Sequence, residues 1–252
     1  MERDFRRGYL EIDFTTEPFD SVNSILLRAT RLFFSTLPFL AAITLAVTIP
    51  GKLLVQTACY ALDVPNEGIL SYFLMDFTDL VLGALIAPAI VYGLVEALRS
   101  GRPAPAAEAL RWGVRLWGKS FWTQFKVEIT VGLWSLLLFV PGILAMLRLS
   151  FTEPIVAIEA DRTTEVLSRS RQLAAGRLWR IFLALLPALA ISLVHMYGGM
   201  RALQYSRWLE PPIDGLLAVA DQWMTAAMVL MYLGLVERTA PAATKRSRAN
   251  TR

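Results

Sequence analysis

The chain has 252 residues, 55% of them hydrophobic and 18% charged, with a mean hydropathy of +0.48. Soluble domains run nearer 45–50% apolar and about 25% charged, so this composition excludes an ordinary water-soluble domain and points to burial in lipid. The net charge of +4 is modest, and the single cysteine, Cys59, excludes an internal disulfide framework or a multi-cysteine metal site.

Residues 1–31 read as a cytoplasmic amino-terminal segment. Thr16, Glu17 and Pro18 make a helix start, with a capping hydroxyl and a proline in the first turn. Phe19, Val22, Leu26, Ala29 and Phe33 then recur at spacings of three and four. The spacing predicts an amphipathic helix over 17–31 lying along the membrane surface, with an early extension of the first span as the alternative. No cleavable signal peptide is expected, because this charged stretch has no continuous apolar core.

A six-helix transmembrane domain is expected over 32–236. Residues 32–49 carry no charge and are long enough to cross, and Pro50 and Gly51 are expected to close them. Residues 51–79, with Lys52, Asp63, Glu67, Asp76 and Asp79, are expected outside the hydrocarbon. The second span is 80–98, interrupted by Pro88. Residues 99–121 form a second amphipathic segment, with Arg111, Arg115 and Lys119 on one face and Trp112, Trp117 and Trp122 suited to the headgroup level. That basic, aromatic stretch leads straight into an apolar run, so a membrane surface is its expected partner and nucleic acid is not. The third span is 123–140, with Lys126 and Glu128 in its entry turn. The fourth is 142–158, a tight fit to a core about 30 Å thick. A third surface helix is expected over 160–176, then spans at 178–200 and 213–236, the last holding Asp214 and Asp221. Residues 237–252 are expected as a disordered basic tail.

Charge sets the orientation. The segments before 32, at 99–122, at 159–180 and after 236 together hold twenty Lys and Arg, while the opposite face has Lys52, Arg201 and Arg207. The positive-inside rule therefore predicts a multi-pass protein of the cytoplasmic membrane with both termini cytoplasmic.

The stretch 141–180 carries a motif: Pro141-Gly142-Ile143, then Arg148, Pro154 and Glu159, then Leu167, Arg169 and Ser170, and finally Leu173, Gly176, Trp179 and Arg180. It resembles bacterial six-helix membrane proteins similar to the glycerophosphoryl diester phosphodiesterase membrane domain and the related YciC-like proteins, with Val166 where their pattern has alanine. The resemblance implies a six-helix membrane layout. It does not imply hydrolase activity, since no catalytic barrel follows Val236.

Arg148 and Glu153 are the charges that most need explaining, because a charged side chain at membrane depth costs about 2.5–3.5 kcal/mol on insertion scales. Five residues apart, they lie about 140° round a helix and cannot share a face, so each needs a partner from another span. Glu128 and Asp221 are the candidates for Arg148. The set reads as a polar site for an ion or headgroup, or as a structural pair that pins the packing. Pro141, Gly142 and Pro154 are expected to break the helix, Pro154 by freeing the carbonyl of Ser150. Such breaks line sites in carriers or stand as plain kinks. Arg169, Arg171, Arg177 and Arg180 form a cationic cluster at the surface, for anionic lipid headgroups or for topology alone. His195 stands without a cysteine or a paired carboxylate nearby in sequence, so it is not read as a metal ligand. No cofactor is implied, and no phosphate loop, nucleophile elbow or HExxH motif occurs. Three functions follow in order: a non-enzymatic protein of envelope or lipid homeostasis or assembly, with a protein partner or a second copy; a small carrier using Arg148 and Glu153; and a membrane-embedded enzyme on a lipid phosphoester.

Overall fold

The computed structural model describes residues 22–65, 68–159, 165–206 and 208–239, and every regular element among them is a helix. In chain order these are α1 (Val22–Ala61), α2 (Ile69–Ser100), α3 (Ala106–Leu137), α4 (Phe139–Leu149), α5 (Thr152–Ile158), α6 (Val166–Ala174), α7 (Leu178–Tyr205) and α8 (Glu210–Thr239). Five stretches are long and apolar enough to cross a bilayer: Val22–Ala61, Ile69–Ser100, Val140–Ile158, Leu178–Gly198 and Glu210–Val236. α3 is not among them, since Arg111, Arg115, Lys119, Lys126 and Glu128 dilute its apolar residues.

Pro50 and Gly51 do not close the first helix. α1 runs for 40 residues, about 60 Å at 1.5 Å per residue, straight through Pro38 and Pro50. Packing of the turns beyond Pro50, with Lys52, Gln56 and Cys59 buried, outweighs the single bond a proline removes. Residues 51–61 and 69–79, expected outside the hydrocarbon, are helical. Val22 to Arg31 is likewise the start of α1, as the alternative reading had it; 17–21 lie outside the described residues. The basic stretch 106–122 and the run that follows form one continuous helix, α3. Of the third surface helix, α6 is described and 160–164 are not; the tail from 240 also lies outside the described residues.

α1, α2 and α8 pack along one another, α3 runs along α2, α4 folds back on α3, and α7 lies mainly against α8. The core sits between them: Leu40 and Ile43 of α1, Ile90 and Leu94 of α2, Ile155 and Ile158 of α5, and Tyr232 of α8 are fully buried. α5 is the plug in this core, with Thr152 and 154–158 all buried.

Pro141 and Gly142 sit inside the first turn of α4, where a proline loses no bond. The turn from α3 is made by Leu138, in an extended conformation. Gly142 lets the hairpin close: a Cβ there would lie 2.9 Å from the Cα of Ser135. The second interruption falls at Ser150 and Phe151, and Pro154 lies in the first turn of α5. Its loose ends are tied by one side chain. Ser170 of α6, fully buried, donates its hydroxyl to the Arg148 carbonyl at 2.9 Å and accepts the Phe151 amide at 3.2 Å. Beyond α5, Glu159 accepts the Tyr232 hydroxyl at 2.6 Å and pairs with Arg169 at 3.5 Å, while the Trp112 indole donates to the Ala157 carbonyl at 3.3 Å. The motif residues Glu159, Arg169 and Ser170 thus hold the helix break and the end of α5 in place.

Candidate functional site

The buried charge of this bundle gathers at the end where α1 and α7 finish and α8 begins. On α1, Thr44, Thr48, Lys52 and Gln56 follow at steps of four, so they share one helix face, and all are buried. On α8, Glu210 and Asp214 are four apart and Asp221 is seven further, again one face. Facing these two stripes brings the charges together. Gly215 allows the approach, since a Cβ there would come within 3.1 Å of Ile49 and 3.2 Å of Leu45.

Lys52 is only 1% exposed, and its ammonium lies 2.9 Å from Asp79 Oδ1, 3.0 Å from Glu210 Oε1 and 2.7 Å from Asp214 Oδ2. One cation with three donors meets three carboxylates, one each from α2 and the two successive turns of α8. Gln56, one turn on from Lys52, donates to Glu210 Oε2 at 3.5 Å and lies 3.6 Å from the Met75 sulfur. Asp214 is shared. Its second oxygen is 2.9 Å from His195 Nε2, and the other ring nitrogen, Nδ1, meets Asp221. Ser192, one turn before His195 on α7, donates to the far oxygen of Asp221 at 3.2 Å. The result is a continuous chain, Asp79–Lys52–Asp214–His195–Asp221, drawn from α1, α2, α7 and α8. Asp79 is its most exposed member, at 50%, and Asp221 lies about 10 Å along the helix axis from Asp214.

Among the described residues, with all four carboxylates ionised and His195 protonated, Asp79, Glu210, Asp214 and Asp221 outnumber the two cations by two. Unbalanced charge is costly where it is shielded from water, as at Glu210 and Asp214, and less so at half-exposed Asp79. Among the described residues no group of three or more His, Cys, Asp or Glu side chains is arranged to hold a metal ion.

The residues singled out from sequence are not brought together. Arg148 is exposed in the last turn of α4, where a cation complements the helix dipole, and among the described residues it forms no ion pair. Glu153 is half-buried in the first turn of α5, and Glu128 is exposed on α3. Asp221 alone joins the network, and it meets His195 rather than Arg148. Of the four arginines, Arg169 is engaged by Glu159, Arg171 is exposed on α6, and Arg177 and Arg180 flank the start of α7. Sequence alone places Lys52 outside the hydrocarbon without a partner, and His195, set aside for want of a carboxylate nearby in sequence, meets two in space. Their signal was the four-residue polar stripe on α1 and the spacing of Glu210, Asp214 and Asp221 on α8.

Comparison with protein-family models, with curated proteins and with solved structures finds no match for this chain.

Proposed function

We propose that this chain is a six-pass protein of the cytoplasmic membrane, both termini cytoplasmic, working as a small proton-coupled carrier. α3 supplies the sixth pass. Its polar half overhangs on the basic side, and its 32 residues, about 48 Å, are long enough to cross as well. The Lys and Arg asymmetry then sets the charge network at the outer boundary, with Lys52 just past the charge-free run 32–49 and Asp79 just before the run 80–98. Both runs end at the same level.

One observation carries the proposal: His195 bridges Asp214 and Asp221 in a chain that passes from half-exposed Asp79 into the bundle. An imidazole between two carboxylates can take a proton from one and pass it to the other, and intramembrane acid and histidine chains do this in pumps and transporters. Lys52 fixes Asp214 in register for that exchange. Between a non-catalytic envelope protein and a carrier, this geometry favours the carrier, with its working charges at the outer end of the bundle instead of in the fourth span. The test is proton uptake into liposomes containing the reconstituted protein and a trapped pH-sensitive dye, under an imposed potential. Wild type and Arg148→Gln should acidify the lumen, and His195→Ala and Asp214→Asn should not. Uptake unchanged in both network variants would overturn the proposal.

A further inference from the structure

At the opposite end of the bundle a shallow cleft of about 30 Å³ opens to the surface, lined by Ile25 of α1, Phe151 at the helix break, Ile181 of α7 and Met231 and Leu235 of α8. Its two charged residues are both arginines, Arg177 and Arg180, three apart at the start of α7 and so on neighbouring faces of one turn. Among the described residues no acidic side chain lines it. Arg177 spends one donor on the Leu173 carbonyl at 3.4 Å; among the described residues neither guanidinium has an ion-pair partner. The first turn of α7 adds unbonded amides whose dipole also favours an anion. Trp179, 71% exposed and stacked on Phe182 at 5.5 Å, sits in the same turn at the level an indole takes between headgroup and chain.

We propose that this cleft binds an anionic phospholipid of the adjoining leaflet, its phosphate held by Arg177 and Arg180 and the first methylenes of one chain laid against half-buried Leu235. Two guanidiniums suit a phosphate, since each offers a planar pair of donors. The apolar surroundings select a lipid over free phosphate, because a hydrated ion would leave exposed Trp179 and half-buried Leu235 uncovered. Arg169 takes no part, being held by Glu159, and Arg171 lies outside the cleft. The site is remote from the charge network and does not depend on its role.

Native mass spectrometry of the detergent-purified full chain tests this, with phosphatidylglycerol, phosphatidylcholine or inorganic phosphate added. Wild type should retain phosphatidylglycerol in preference to phosphatidylcholine. Arg180→Gln, an exposed change that leaves the core untouched, should weaken retention by about tenfold. Arg171→Gln should leave it unchanged. Equal loss in Arg171→Gln would mean diffuse surface charge and overturn the site. Retention unaffected by Arg180→Gln would do the same, as would displacement of the lipid by millimolar phosphate.

Discussion

The Lys52 ammonium has traded its water shell for three carboxylates, and removing it strands them. Lys52→Met should therefore cost about 3–5 kcal/mol, the usual penalty for breaking a buried ion pair from one side. A fall in the thermal midpoint in detergent would register it. Asp79→Asn should cost far less, since Asp79 is half exposed and surface pairs contribute about 0–1 kcal/mol. Four residues along the same stripe from Thr48, the Thr44 hydroxyl is buried without a hydrogen-bond partner among the described residues. Thr44→Val keeps its shape and removes that cost, so the same melt should show no loss or a gain of about 1 kcal/mol. Residue types alone did not reveal this network. A hydropathy reading takes Lys52, Asp79 and Glu210 as marks of a loop, and the pairing of Lys52 with Glu210 spans 158 positions in sequence. Local periodicity is blind to that.

At the scale of elements, the apolar runs were legible because lipid demands about 20 uncharged residues per crossing. Their ends were not. Pro50 looked like a stop, yet α1 continues because Lys52 and Gln56, in the turns beyond it, are buried against α2 and α8. The interruption at Ser150 and Phe151 is different, since Ser170 supplies the missing partners from another helix. Ser170→Ala should cost about 1–3 kcal/mol by leaving a buried amide unsatisfied, and should speed hydrogen exchange at Phe151 and Thr152 before it affects α1 or α8. An equal rise throughout the bundle would deny Ser170 this local role. Sequence pointed to the stretch 141–180, but Glu159, Arg169 and Ser170 act there as fasteners between helices.

For the whole molecule, the six passes we propose would place the α3–α4 turn on the same side as the α1–α2 connection. Cys59 is buried, so single cysteines introduced at exposed positions can be read against a quiet background. With an impermeant maleimide on intact cells, Asp63→Cys and Leu138→Cys should label from outside, and Arg102→Cys and Arg171→Cys only after permeabilisation. Leu138→Cys labelling from the inside would remove the sixth pass. The helices around the charge network are not held alike. Only 22% of the apolar stretch of α7 is buried, against 61% for α2 and α8, and α7 rests chiefly on α8. His195 and Ser192 ride on that loose wall, whereas Lys52 and its three carboxylates belong to the tightly gripped trio of α1, α2 and α8. A small outward swing of α7 would therefore uncouple the imidazole from both aspartates and leave the ammonium cage intact, so the proton step we propose would open without loosening the frame.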